Sequence, residues 1–131
     1  MVYEPEIIAE SDRLVVLSRG ELDIEGGTRL FDELIRRAGE TGLSRILIDN
    51  RELGKPLAAT EKVILGFHLE GPYLDHLSRG GSPLRVAFLL PAEFFMPLRP
   101  LSDHLNSIGL AAEAFSDPHA ANRWLCSPGD G

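Results

Sequence analysis

Two apolar runs constrain this chain more than any other feature: "RILID", residues 45–49, and "LRVAFLL", residues 84–90. Each is apolar at successive positions rather than at every second one. That is the pattern of strands buried on both faces, which occurs where helices cover a parallel sheet. Amphipathic helical patterns lie between and after the runs, so the chain reads as strand–helix alternation.

The remaining elements fit around this frame. "EIIAE", residues 6–10, and "RLVVLSR", residues 13–19, read as strands joined at the turn pair Ser11-Asp12. Residues 24–39 read as a helix, with Leu30, Phe31, Leu34, Ile35 and Ala38 on one face. Asp23 is its expected N-cap and Gly42 its stop. A loop with Gly54 and Pro56 follows residues 45–49, and Thr60 is expected to cap a second helix over residues 60–77. "SRGGSP", residues 78–83, reads as a turn. Leu98, Leu101, Leu105 and Ile108 predict a third helix reaching Ser107 with Gly109 behind it, after an irregular proline-broken approach from "AEFFMPLRP". "AAEAF", residues 111–115, reads as a last strand. Asp117 and Pro118 open a last helix with Ala121, Trp124 and Leu125 on one face, and residues 126–131 are expected to fray. The predicted order is ββαβαβαβα: one α/β domain over residues 1–131, with a mostly parallel sheet covered by helices and an antiparallel pair at the start.

The helix at residues 60–77 carries two apolar stripes. Val63, Phe67, Leu74 and Leu77 form one; Leu65, Leu69 and Tyr73 form another on roughly the opposite side. A helix lying on a sheet needs only one. The first stripe is expected to face the sheet. The second is then free for a second subunit, a protein partner or a lipid-like ligand, with Phe94, Phe95 and Met96 extending it or lining a pocket beneath.

Composition excludes several classes. There are 13 basic and 20 acidic residues, a net charge of −7, and no clustered basic patch, which argues against nucleic acid. One cysteine rules out an internal disulfide and suits a reducing cytoplasm. No apolar run approaches the length that spans a bilayer, and "MVYEPEIIAESD" is not a signal peptide. His68, His76, His104 and His119 show no metal-ligand spacing, and no metal or cofactor is expected. Cys126 has no activating neighbour in the sequence and reads as an ordinary thiol. No nucleophile or catalytic motif is present, so no catalytic residue is assigned.

The closing "AFSDPHAANRWL", the strand "ILIDNREL" and the strand "RVAFLLP" together resemble SpoIIAA-like proteins of the STAS/CRAL-TRIO-like group. The resemblance covers nearly the whole chain. It implies the STAS-type fold and a non-enzymatic module that binds a protein partner or a second copy of itself. The CRAL-TRIO side implies the alternative of a small-molecule or lipid-binding domain. STAS antagonists carry a phosphorylatable serine after the strand that corresponds to residues 45–49. This chain has Asn50 after Asp49, and Asn has no hydroxyl to phosphorylate. Asp49, Asn50 and Arg51 are therefore candidates for binding, against the plainer reading that they shape a turn.

Overall fold

The structure, a computed structural model, describes residues 2–127. Its sheet begins with a hairpin. β1 (Glu4–Ala9) pairs antiparallel with β2 (Leu14–Glu21), whose buried residues Leu14, Val16, Ser18 and Gly20 alternate with more exposed ones. That alternation is what one deeply covered face requires. Glu4, Pro5 and Glu6 sit on the β1 edge, where charge and proline discourage pairing with another chain.

α1 (Ile24–Thr41) follows. The Asp23 carboxylate accepts from the Gly26 N–H at 2.6 Å, and the Gly42 N–H closes the far end on the Ala38 carbonyl with φ +76°. β3 (Arg45–Asp49) then lies parallel to β2, and β5 (Arg85–Leu89) and β6 (Ala111–Phe115) extend the sheet in parallel. The sheet order is β1-β2-β3-β5-β6. α2 (Ala59–Ser78) and α3 (Phe95–Ser107) cross between these strands. With α1 they cover one face, and α4 (Pro118–Cys126) covers part of the other.

One strand was not expected. β4 (Leu53–Lys55) pairs parallel with β2 at Gly20 and Glu21. It continues the path of β3 after a short excursion. From Leu17 to Gly20 the β2 chain advances three residues, while its partner advances four, from Asp49 to Leu53. Asn50–Glu52 form a short turn, closed by the Leu53 N–H on the Asn50 carbonyl at 3.1 Å, and the pairing with β2 shifts register again between Gly20 and Glu21. Three residues that include Gly54 carry too little pattern to read as a strand; the free flank of β2 recruits them.

Two helix starts also differ from expectation. Thr60 is not the cap of α2: it lies inside the first turn, and the Glu61 carboxylate reaches back to the Ala58 N–H at 2.9 Å. α3 begins at Phe95, directly after a 3-10 turn at Ala92–Phe94, so the approach is helical. Pro97 falls in its first turn, where a missing N–H is tolerated. At its far end Gly109, with φ +90°, lets its own N–H and that of Leu110 bond back to Asn106 and Leu105.

The two faces are fastened differently. Beneath α1, α2 and α3 lies the main core, with Leu14, Val16, Leu34, Ile46, Leu65, Leu69, Tyr73, Val86 and Leu105 almost inaccessible. Beneath α4 is a small cluster of Ala87, Ala121 and Leu125, edged by Leu47, Phe115 and Trp124. Arg85 adds to it. Its guanidinium lies 4.1 Å from the Trp124 ring and donates to the Trp124 carbonyl and the Ser127 hydroxyl, satisfying the carbonyl end of α4. Cys126 closes this helix, and Pro128–Gly131 of the expected frayed tail lie outside the described residues.

Gly20 marks where the hairpin tolerates no side chain. Its φ is +84°, and a Cβ there would sit 2.1 Å from the Val2 carbonyl oxygen. Gly20→Ala is expected to lower stability by about 2 kcal/mol or more, through left-handed strain and displaced backbone. Urea denaturation measures it; an unchanged midpoint would refute the account.

Candidate functional site

Strand alternation and the turn after β3 divide the polar stretch Asp49–Glu52 between two sides of the sheet. Ile46 and Ile48 point into the main core, and Asn50 continues their row. Asp49 follows Leu47 on the other side. There its carboxylate is chelated by Arg51, with Nε–Oδ1 at 3.0 Å and Nη2–Oδ2 at 2.9 Å, and it also accepts the Arg51 N–H at 3.1 Å. Burial pushes the Asp49 carboxyl up, but the bonds from the Arg51 side chain and backbone outweigh it and hold the group below its usual range. Arg51 is thus occupied with shaping the turn. Glu52 approaches Arg19 at 3.4 Å on the exposed surface, a contact of small energetic consequence.

Asn50 opens onto a cavity of ≈ 60 Å³ at the carboxyl ends of β3 and β5. Its walls are nearly all apolar: Leu22, Leu30 and Phe31 from the α1 side, Ile48, Phe88 and Leu90 from the sheet, Leu65 from α2, and Phe94, Leu98 and Leu101 from the α3 side. Three polar side chains interrupt them. The Tyr3 hydroxyl lies 3.2 Å from the Ser18 hydroxyl; burial pushes its phenol up and that hydrogen bond partly draws it back. The Asn50 amide and the Lys62 ammonium make no hydrogen bond or ion pair among the described residues. Lys62 is only 5% exposed, and burial alone lowers its pKa from the usual lysine range.

Lys62 lies on α2 because of how that helix is turned about its axis. Leu65, Leu69 and Tyr73 are 2%, 1% and 0% exposed, so their stripe is the one that faces the core. The stripe expected to face the sheet is the free one: Val63, Phe67 and Leu74 are exposed, as is Ile64, and only Leu77 packs against the core. The expectation of a spare stripe formed by Leu65, Leu69 and Tyr73 is therefore corrected. The physical reason is the Tyr73 hydroxyl. It donates to the Gly109 carbonyl at 2.9 Å and accepts the Leu84 N–H at 3.2 Å, partners that only the inward phase can reach. A buried hydroxyl needs such partners. Gly27 favours the same phase, since its missing side chain admits Leu65 to the surface of α1.

Searches of known proteins bear on the fold and on nothing finer. No protein-family model matches the chain, and no curated protein matches it. Among solved structures it is similar to an uncharacterised protein of the DUF3478 family with a SpoIIAA-like fold, from Shewanella loihica PV-4. Identity is 23%, covering 95% of this chain and 94% of that one, with a TM-score of 0.50. The chain has a SpoIIAA-like fold. Weaker likenesses are to the anti-sigma factor antagonist SpoIIAA in its unphosphorylated form, at 17% identity over 96% of this chain and 100% of that one, TM-score 0.48. The Bacillus cell fate determinant SpoIIAA in the phosphorylated form matches at 16% identity over 94% and 99%, TM-score 0.47.

Within this SpoIIAA-like fold the sequence-derived candidates separate into three groups. Asn50, Leu65 and Phe94 meet around the cavity. Asp49 and Arg51 pair with each other on the opposite side, while Leu69 and Tyr73 are core and Phe95 packs against it. Met96 is 70% exposed. Lys62 was missed, although the signal was present: at 100° per residue it lies within about 20° of Leu69, on the buried stripe. Arg13 was missed as well. Its guanidinium bonds Asp12 and lies 3.2 Å from the Cys126 sulfur, so that thiol has a cationic neighbour 113 positions away that the sequence did not reveal. No helix among the described residues is long and apolar enough to cross a membrane, and no three His, Cys, Asp or Glu side chains among them converge as a metal site requires.

Tyr73→Phe keeps the ring and leaves the Gly109 carbonyl and Leu84 N–H without their partner. It is expected to cost about 1–3 kcal/mol in urea denaturation; no change would show that water satisfies both groups equally well. Asp49 supplies a pH test. Because its folded pKa is depressed, its contribution is complete above the ordinary carboxylate pKa and disappears as pH falls through the folded value. Asp49→Asn should therefore lose less stability than the wild type on acidification from about pH 5 to pH 2. Parallel pH profiles for the two proteins would refute the assignment.

Proposed function

We propose that this domain is a non-enzymatic interaction module that docks through the outward face of α2, with a second copy of the chain as the occupant. The observation that carries the reading is the exposed stripe. Val63 is 42% exposed, Ile64 45%, Phe67 64% and Leu74 47%, all on one helix. Single exposed apolar residues need no explanation, but a run of them along one helix face is a recognition surface. Phe67 is held in place by His104 of α3, with ring centroids 4.9 Å apart, so its ring is presented rather than loose. His104 Nε2 also lies 3.3 Å from Glu70 Oε1, within ion-pair distance but without hydrogen-bond geometry. A two-fold axis through such a face would let one stripe cover its own copy, which makes a homodimer the simplest assembly.

The mutual pairing of Asp49 and Arg51 supports a non-enzymatic reading, because it engages the two charged groups there that acid–base chemistry would need free. Asn50 supports a domain without a serine phospho-switch at that position, since no hydroxyl follows Asp49. A small-molecule-binding role is a second reading, favoured by the apolar cavity beneath α2.

Light scattering on the purified protein tests the first reading. A dimer is expected, and Phe67→Glu should convert it to a folded monomer, whereas Leu69→Glu should unfold the chain because Leu69 is core. A wild type that stays monomeric at high concentration, with Phe67→Glu indistinguishable from it, would sink the homodimer.

A further inference from the structure

Lys62 and Asn50 have no role in the docking face. Lys62 is only 5% exposed as a residue, and its ammonium, which keeps access to water, has no carboxylate, hydroxyl or carbonyl partner among the described residues. No Asp or Glu lines the cavity it borders. A cation set on an apolar wall with no carboxylate beside it leaves a place for a counter-anion. Asn50 is the other polar wall whose side chain has no partner. Strand alternation from Ile46 and Ile48 sets it there.

We propose that this cavity binds a short-chain monocarboxylate, its carboxylate held by Lys62 and Asn50 and its alkyl chain enclosed by the apolar wall. The inference rests on the small-molecule reading and deepens it. Chemistry narrows the ligand. One ammonium and one amide NH₂ match the two oxygens of a carboxylate, whereas a phosphate dianion calls for more donors than this wall supplies. The rest of the lining offers hydrophobic contact, with only the Tyr3 hydroxyl, already paired with Ser18, as a further polar group. The cavity is small, ≈ 60 Å³, which favours a short alkyl chain. Butanoate, with four carbons and two oxygens, carries such a chain. A long-chain fatty acid does not.

The test is an NMR titration of the full chain with sodium butanoate and, separately, with butan-1-ol, read at the amides of residues around the cavity. Butanoate is expected to shift them saturably. Lys62→Met should weaken butanoate at least about tenfold, and Asn50→Ala several-fold, while both leave butan-1-ol within about twofold. Equal butanoate affinity in wild type and Lys62→Met overturns the proposed head-group site. If the alcohol binds as tightly as the acid in the wild type, the cavity reading stands and the carboxylate inference falls. If neither probe shifts the cavity amides, the small-molecule reading fails with it.

Discussion

The rotation of α2 about its own axis is the constraint on which the rest of this molecule depends. The helix is apolar on two sides, so hydrophobic burial alone discriminates poorly between two phases. The Tyr73 hydroxyl breaks that near-degeneracy. Turned inward, it satisfies the Leu84 N–H at the mouth of β5 and the Gly109 carbonyl in the turn between α3 and β6. Turned outward, those two backbone groups would lose their partner. The inward phase also puts Leu65 against Gly27 and carries Lys62 onto the cavity wall. The surface stripe and the buried lysine are thus two consequences of one choice.

The second organising device is the extra residue after β3. Without it, β3 and β4 would be one continuous strand beside β2. With it, the stretch turns at Asn50, where the Asn50 N–H still bonds the Leu89 carbonyl and its own carbonyl receives the Leu53 N–H. The alternation of a strand then sends Asp49 to one side and Asn50 to the other. Asp49 and Arg51 complete a local clasp, and Asn50 is left facing the apolar cavity. Neighbours in sequence therefore do different work. Treating Asp49, Asn50 and Arg51 as one polar cluster overlooked the period of two that separates them.

Much of the architecture was legible beforehand because it rests on local rules. Asp23 and Asp117 read as caps, and they accept from Gly26 and His119 within their own first turns. Gly42 and Gly109 read as helix ends, and both adopt positive φ. The opening hairpin and the parallel pairing of the strands followed from strand pattern and connection length. β4 was not legible, since three residues with a glycine acquire strand character only from the open flank of β2. Arg13 beside Cys126 and Arg85 beneath Trp124 were not legible either, because each contact joins residues far apart in the chain.

By itself, then, the sequence determined the order of every strand and α-helix but β4, the ends of α1 and α4 and the parallel sheet, because capping, periodicity and connection length act within a few residues of one another. It also determined that α2 would have one apolar face too many. Which face stays outside was decided only by tertiary structure. The apolar count is similar for both stripes, and the deciding hydrogen bonds come from Leu84 and Gly109, 11 and 36 positions from Tyr73. That long-range decision, rather than any local motif, left Phe67 in solvent and Lys62 at the wall of an apolar cavity.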